Sequence, residues 1–169
     1  MADLPRIYWD ACAWIGLINF EAGKKAPLQH FYDLAVRGQH ELWTSTISFV
    51  EVFQLYTEQG QVKPYDQANL DIIKNVMEQP FVKLVPVDLI IARRARELRR
   101  TITAPGTGAN DCIHLATALQ WDTTPMHTWD KAHLLGLTNT LLCKCGNSLE
   151  ISQPVIPPPG PLFVPPSQP

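Results

Sequence analysis

The sequence is short of positive charge. Fourteen lysines and arginines stand against sixteen aspartates and glutamates, for a formal net charge of −2. That excludes a chain coated in basic residues; a nucleic-acid reading needs a local patch instead. Long apolar runs are missing as well, and none approaches the ~20 residues that span a bilayer. The first residues run almost straight into strand-like sequence, with no stretch that reads as a secretory leader. Cysteine is sparse. Cys12, Cys112, Cys143 and Cys145 do not outline a disulfide framework, so the expectation is a cytoplasmic protein with reduced thiols. Glycine-rich phosphate loops are absent too. Neither G-x-G-x-x-G nor G-x-x-x-x-G-K-[ST] occurs, and Gly106-Thr107-Gly108 is too short to stand in. This weakens the reading of an α/β domain that grips a nucleotide or small ligand at its strand ends. No internal repeat is present.

What remains suits one compact domain: 169 residues, 46% hydrophobic and 18% charged. A chain of this size buries roughly 70% of the surface its unfolded form exposes, and needs no disulfide or structural metal to fold. The pattern divides it into a folded unit, residues 1–151, and a proline-rich tail, residues 152–169. Prolines at that density cannot join a helix or a central strand, so the tail is expected to be extended or disordered. Its apolar residues Val155, Ile156, Leu162, Phe163 and Val164 could dock on a neighbour, or the tail is a loose end.

The body alternates short strand-like runs with helical patterns. Arg6 to Asp10 reads as a strand, Ala11 to Phe20 as a helix, and Pro27 to Val36 as a second helix. Glu41 to Thr44 is strand-like, Thr46 to Glu58 helical, and Pro64 to Met77 an amphipathic helix. Val82 to Val87 is a strand, and Asp88 caps a helix that runs to about Arg100. A flexible joint at Gly106 to Gly108 leads into a helix from Asn110 to Trp121. A short strand at Pro125 to Trp129 and a last one at Leu149 to Ile151 complete the body. This alternation predicts an α/β fold with a central, mostly parallel sheet.

Four acids stand in places that are not plainly solvated. Asp10 and Asp130 each end a strand-like run, where ligand sites of open α/β sheets gather. Either could equally be the N-cap of the next helical segment. Glu51 shares a helical face with Ile47 and Leu55. A carboxylate flanked that way faces partial burial and needs a cation, whether a metal or a basic side chain. Asp111 lines up with Leu115 and Ala118 toward the core, although a first-turn acid also complements the helix dipole. Each signal is weak alone. Together the four would repel one another unless neutralised, and a hard divalent cation does that with carboxylate oxygens and water. Such a site suits phosphoryl chemistry.

With these acids in place the chain resembles the PIN-domain family, and within it the toxin ribonucleases of bacterial toxin–antitoxin pairs. The resemblance rests on Ile7-Tyr8-Trp9-Asp10, Thr44 to Val52, the helix Ala92 to Arg99, Asn110 to Leu119, and Thr128-Trp129-Asp130, in that order and spacing. It implies a three-layer α/β/α domain whose cleft gathers Asp10, Glu51, Asp111 and Asp130 as catalytic and metal-holding residues. It implies Mg²⁺ or Mn²⁺ as the ion, endonuclease activity on RNA, an antitoxin protein as partner, and a homodimer. Thr128 and Ser45 would position the acids. Cys12 departs from the pattern, standing where the family often carries serine or threonine; a thiol is the poorer hydrogen-bond partner. A catalytically silent PIN-like module that binds RNA or protein is the alternative.

Other features admit two readings. Arg93, Arg96 and Arg100 share one helix face and form either a phosphate-contacting patch or a solvated face offset by Glu97. His114, one turn after Asp111, could reach the cleft or be a satisfied, partly buried histidine. His127 and His133 flank Asp130 without an assigned role. Cys143-Lys144-Cys145-Gly146 resembles half a zinc knuckle with no second pair, and reads as a turn. Trp14, Phe49, Phe53 and Phe81 are expected in the core.

Overall fold

A computed structural model describes residues 4–158. Five parallel strands form one sheet: β1 Arg6–Trp9, β2 Glu41–Ser45, β3 Val82–Val85, β4 Met126–His127 and β5 Ile151–Ser152, in the order β3-β2-β1-β4-β5. Alternation along β1 sends Ile7 and Trp9 to one face and Tyr8 to the other. The Ile7 and Trp9 face packs on α1 (Ala11–Ile18), α2 (Lys25–Val36) and α4 (Gln67–Met77), through Trp14, Leu17, Leu28, Ile73 and Met77. The Tyr8 face packs on α5 (Leu89–Thr101) and α6 (Ala109–Gln120), through Ile91, Leu98, Leu115 and Leu119. The result is the three-layer α/β/α sandwich with a parallel sheet.

Strand order fixes where a site belongs. The chain builds outward from β1 to β3, then returns to add β4 on the other side of β1. Connections therefore diverge between β1 and β4, and the crevice outside their carboxyl ends is where such sheets bind ligands. Asp10 follows β1 directly, and Asp130 lies three residues beyond β4.

The helix expected from Thr46 to Glu58 does not form as one element. Only the single turn α3, Ser48–Glu51, is helical, and a 3-10 turn comes after it at Tyr56–Glu58. Side chains capture the amides a longer helix would need. Glu58 Oε2 accepts the Leu55 N–H at 2.8 Å, and Asn19 Oδ1 accepts the Tyr56 N–H at 2.7 Å. Phe53, expected in the core, is instead 48% exposed and stacks on Tyr65. Smaller differences have local causes. β3 stops at Val85 because Pro86 has no amide to donate. α4 begins at Gln67 rather than Pro64, capped by Asp66. Asp88 caps α5 as read, accepting the Ile91 N–H at 2.9 Å.

No helix among the described residues is long and apolar enough to cross a membrane. Pro154 is buried, whereas Val155 and Ile156 are exposed. The rest of the tail's apolar segment, Leu162, Phe163 and Val164, lies outside the described residues.

Candidate active site

Asp10 leaves β1 and caps α1, its Oδ1 accepting the Ala13 N–H at 3.0 Å. It is 3% exposed. Burial pushes its carboxyl up to about 6, against the pull of His114, the nearby Thr128 hydroxyl and the Ala13 amide. The Thr128 oxygen accepts the Asp130 N–H at 2.9 Å, so the hydroxyl that holds one strand-end acid also lies near the other. Asp130 in turn caps the turn that begins at Lys131. Its Oδ1 accepts the N–H groups of Ala132 (3.0 Å) and His133 (2.9 Å), and its Oδ2 pairs with His133 Nδ1 at 2.9 Å.

Glu51 ends α3 and reaches α6. Its Oε1 accepts from Asn110 Nδ2 at 3.0 Å, and its Oε2 lies 2.7 Å from His114 Nε2. Burial raises its carboxyl, but the bond and charge of His114, aided by Asn110, more than offset that and leave it below the usual range. Both of its oxygens are thus held by α6. Asp111 stands in the first turn of α6, its Oδ2 accepting the Gly108 N–H at 2.6 Å. The capping and dipole roles weighed against a metal role are therefore present in three of the four acids, and each uses only part of a carboxylate's accepting capacity.

Asp111, Asp130 and His133 each offer a ligand atom, and these atoms lie within 4.8 Å of one another. Two carboxylates so close repel unless a cation sits between them. The two carboxylates suit a divalent ion such as Mg²⁺ or Mn²⁺, with the imidazole the softer third donor. Asp10, Glu51 and Asp130 all act on the Cys12 thiol, which their charges and, above all, burial push up to about 12. Cys12 therefore faces the acids as a neutral thiol.

The other expected residues divide. Thr128 accepts the Asp130 N–H and lies near Asp10. Ser45 is buried, but its hydroxyl accepts the Ile47 N–H at 3.4 Å and makes no hydrogen bond to an acid. Arg93, Arg96 and Arg100 are exposed on α5, and Glu97 pairs with Arg94 at 3.5 Å rather than with Arg93 or Arg100. His114 is buried and satisfied, the plainer of its two readings, yet one of its partners is the site acid Glu51. His133 carries no role that sequence reasoning assigns; its i+3 spacing from Asp130 on a turn is the available signal. Tyr8, which meets His114, carries none, since a strand position facing the core looks the same for tyrosine as for any apolar residue.

Fold and site define a three-layer parallel α/β domain with acidic side chains gathered at its topological switch point. The PIN domain family model matches residues 7–133, and the chain belongs to that family. Among solved structures it is similar to VapC20 of Mycobacterium tuberculosis, described as a Sarcin-Ricin loop cleaving toxin. The TM-score is 0.58 at 14% identity, covering 74% of this chain and 90% of that one. At that identity the likeness concerns the fold. No curated protein matches the chain by sequence.

Proposed function

We propose that the protein is a metal-dependent endoribonuclease that hydrolyses RNA phosphodiester bonds, acting as the toxin of a toxin–antitoxin pair. The observation that carries this reading is the meeting of Asp111, Asp130 and His133 within 4.8 Å, with Asp10 at the neighbouring strand end. Membership of the PIN-domain family and the fold shared with a solved toxin support it.

In this reading Asp10, Glu51, Asp111 and Asp130 hold Mg²⁺ or Mn²⁺. The bound ion supplies Lewis acidity toward phosphate oxygen and makes water more acidic. The carboxylates accept the proton released as water attacks phosphorus, and the P–O bond to the departing ribose oxygen breaks, that oxygen taking up a proton from solvent. Thr128 keeps Asp10 and Asp130 in register, and Cys12, neutral beside them, adds no charge. Arg93, Arg96 and Arg100 give the local positive patch that a chain of net charge −2 requires, and contact RNA phosphates. The nuclease domain is residues 1–151, with 152–169 a tail, and the active form is a homodimer.

Cleavage of a structured RNA in Mg²⁺ or Mn²⁺ tests the reading, comparing wild type, Asp130→Asn and wild type in EDTA. Cutting by the wild type with metal alone is the expected result. If the wild type neither cuts nor binds metal, the domain is a silent RNA- or protein-binding module.

A further inference from the structure

The geometry points to His114, backed by Tyr8, as a positioning residue that aims Glu51 into the site; this rests on the metal-dependent reading above. Tyr8 is fully buried on β1, and His114 is 2% exposed on α6. The Tyr8 hydroxyl lies 2.8 Å from His114 Nδ1, and the rings meet edge-on at 5.8 Å. On the far side of the imidazole, Nε2 lies 2.7 Å from Glu51 Oε2. The Ser45 N–H donates to the tyrosine oxygen at 3.1 Å. A continuous line thus runs from the sheet backbone through a phenol and an imidazole to one site carboxylate.

The direction of the last bond is set by chemistry. An ionised carboxylate only accepts, so the proton between His114 and Glu51 is on Nε2. Pairing of Nδ1 with Tyr8 resists rotation of the ring, so the donor stays where it is. A packed core does not require this arrangement. Burying a phenol and an imidazole costs free energy that apolar side chains of similar size would not. Glu51 does require it. The acid sits at the end of a one-turn helix that gives way to irregular chain, and α3 itself gives its side chain no partner. α6 supplies what α3 lacks: Asn110 on one oxygen, His114 on the other, and Asp111 between them in sequence. Glu51 is thereby locked to the helix that carries Asp111, so the two acids move as one unit.

Two substitutions separate positioning from packing. His114→Gln keeps a donor where Nε2 stands and gives up the pairing with Tyr8. His114→Asn keeps a polar group toward Tyr8 and gives up the donor to Glu51. The readouts are Mn²⁺ affinity by calorimetry on the full chain without RNA, kcat and KM for RNA cleavage in Mg²⁺, and Tm. Loss of a group that orients a metal ligand costs about 10–100-fold in affinity. His114→Asn is expected in that range, with kcat falling and KM near wild type, while His114→Gln, which keeps the donor but loses the Tyr8 brace, is weakened only a few-fold. Equal Mn²⁺ affinity and kcat in the two variants overturns the proposal and leaves His114 a packing residue. Should His114→Asn fail to fold, Tyr8→Phe carries the test. Weakened Mn²⁺ binding by a folded Tyr8→Phe supports positioning, and unchanged binding overturns it. A wild type that binds no Mn²⁺ sinks the metal reading and this role together. A wild type that binds and cuts while His114→Asn does the same sinks only this role.

Discussion

Asp10 and Glu51 are held from inside the protein, whereas Asp111 and Asp130 are held by turns at its edge. Behind the first pair stand buried groups: the Ala13 amide and the nearby Thr128 hydroxyl for Asp10, and His114 backed by Tyr8 for Glu51. Behind the second pair stand backbone amides, Gly108 for Asp111 and Ala132 with His133 for Asp130. The electrostatic consequences differ. Burial lifts the Asp10 carboxyl to about 6, so Asp10 resists being charged, while His114 and Asn110 hold Glu51 below the usual carboxylate range. The outer half is where ligand atoms already converge, within 4.8 Å and with an imidazole among them. A divided site of this kind separates two tasks. The inner acids take their charge state from buried neighbours, and the outer group adds ligand atoms that already converge.

The largest expected effect breaks the inner half. Asp10→Asn should lower RNA cleavage by about 10²–10³-fold, the range for removing one preorganised electrostatic group. The same change should stabilise the metal-free protein at pH 8. The Asp10 carboxyl titrates near 6 when folded against an ordinary 3.8. Its ionised form is therefore costlier in the folded state, by up to about 3 kcal/mol. Thermal unfolding in EDTA should give a Tm several degrees above wild type, at roughly 2–4 °C per kcal/mol for a chain of this size. A lower Tm would mean that the buried carboxylate is stabilised rather than strained.

Next in size is a change confined to the outer half. His133→Ala removes an imidazole that is only half-buried, so Tm should stay near wild type. Mn²⁺ affinity should fall about tenfold or more. Unchanged affinity by calorimetry would show that Asp111 and Asp130 grip the ion without it, and the comparison between halves would lose its chemical basis.

The two halves also differ in how far they can be read from sequence. Asp10 and Asp130 are legible because a short apolar run ending in an acid marks the carboxyl end of a strand, and parallel topology brings such ends together. Glu51 is legible as a residue but not in its surroundings. The apolar spacing from Thr46 to Glu58 fits a helix, and nothing local reveals that Asn19, far away in the chain, takes the Tyr56 amide. Phe53 shares the same error, counted as core from a helix that does not continue. His114 and Tyr8 meet across 106 positions, through the packing of α6 on the sheet, which no sequence window contains.

A third effect, of a few kcal/mol, lies in the inner half's response to acid. Trp9 Nε1 donates to His127 Nδ1 at 3.2 Å, so that nitrogen must be unprotonated. Burial, with His40 nearby, holds His127 at about 4 in place of 6.5. As pH falls from 6.5 toward 4, the unfolded chain binds a proton there and the folded chain does not. Stability is therefore lost in that window, by up to about 3 kcal/mol. Asp10 works the other way. Between about 6 and 3.8 its folded carboxyl takes a proton that the unfolded one does not, and stability is gained as pH falls. The two neighbours of Trp9 thus oppose each other across nearly the same range. Urea unfolding of metal-free protein at pH 7, 5.5 and 4.5 should show Asp10→Asn more acid-labile than wild type and His127→Gln less so. Parallel pH dependence in all three proteins would remove the opposition.

The smallest effect sharpens the outer half. Gly106 adopts a φ of +83°, and a Cβ placed there would lie 2.5 Å from His133 Nε2. Gly106→Ala therefore does two things: it strains the backbone by roughly 1 kcal/mol, and it pushes on a ring that pairs with Asp130. Gly23 separates them. It has a φ of +78°, but an added Cβ there would meet nothing within 4 Å. Gly23→Ala carries the backbone strain alone, and both variants should lose a similar amount, roughly 2–4 °C in Tm, beyond any cost of moving the ring. Only Gly106→Ala should weaken Mn²⁺ binding, by a few-fold, because only there is an imidazole displaced from the cluster. Equal Mn²⁺ affinity in the two alanine variants would show that His133 finds its place without the glycine. The outer half would then be held by the Asp130 turn alone rather than by both turns that meet at its ring.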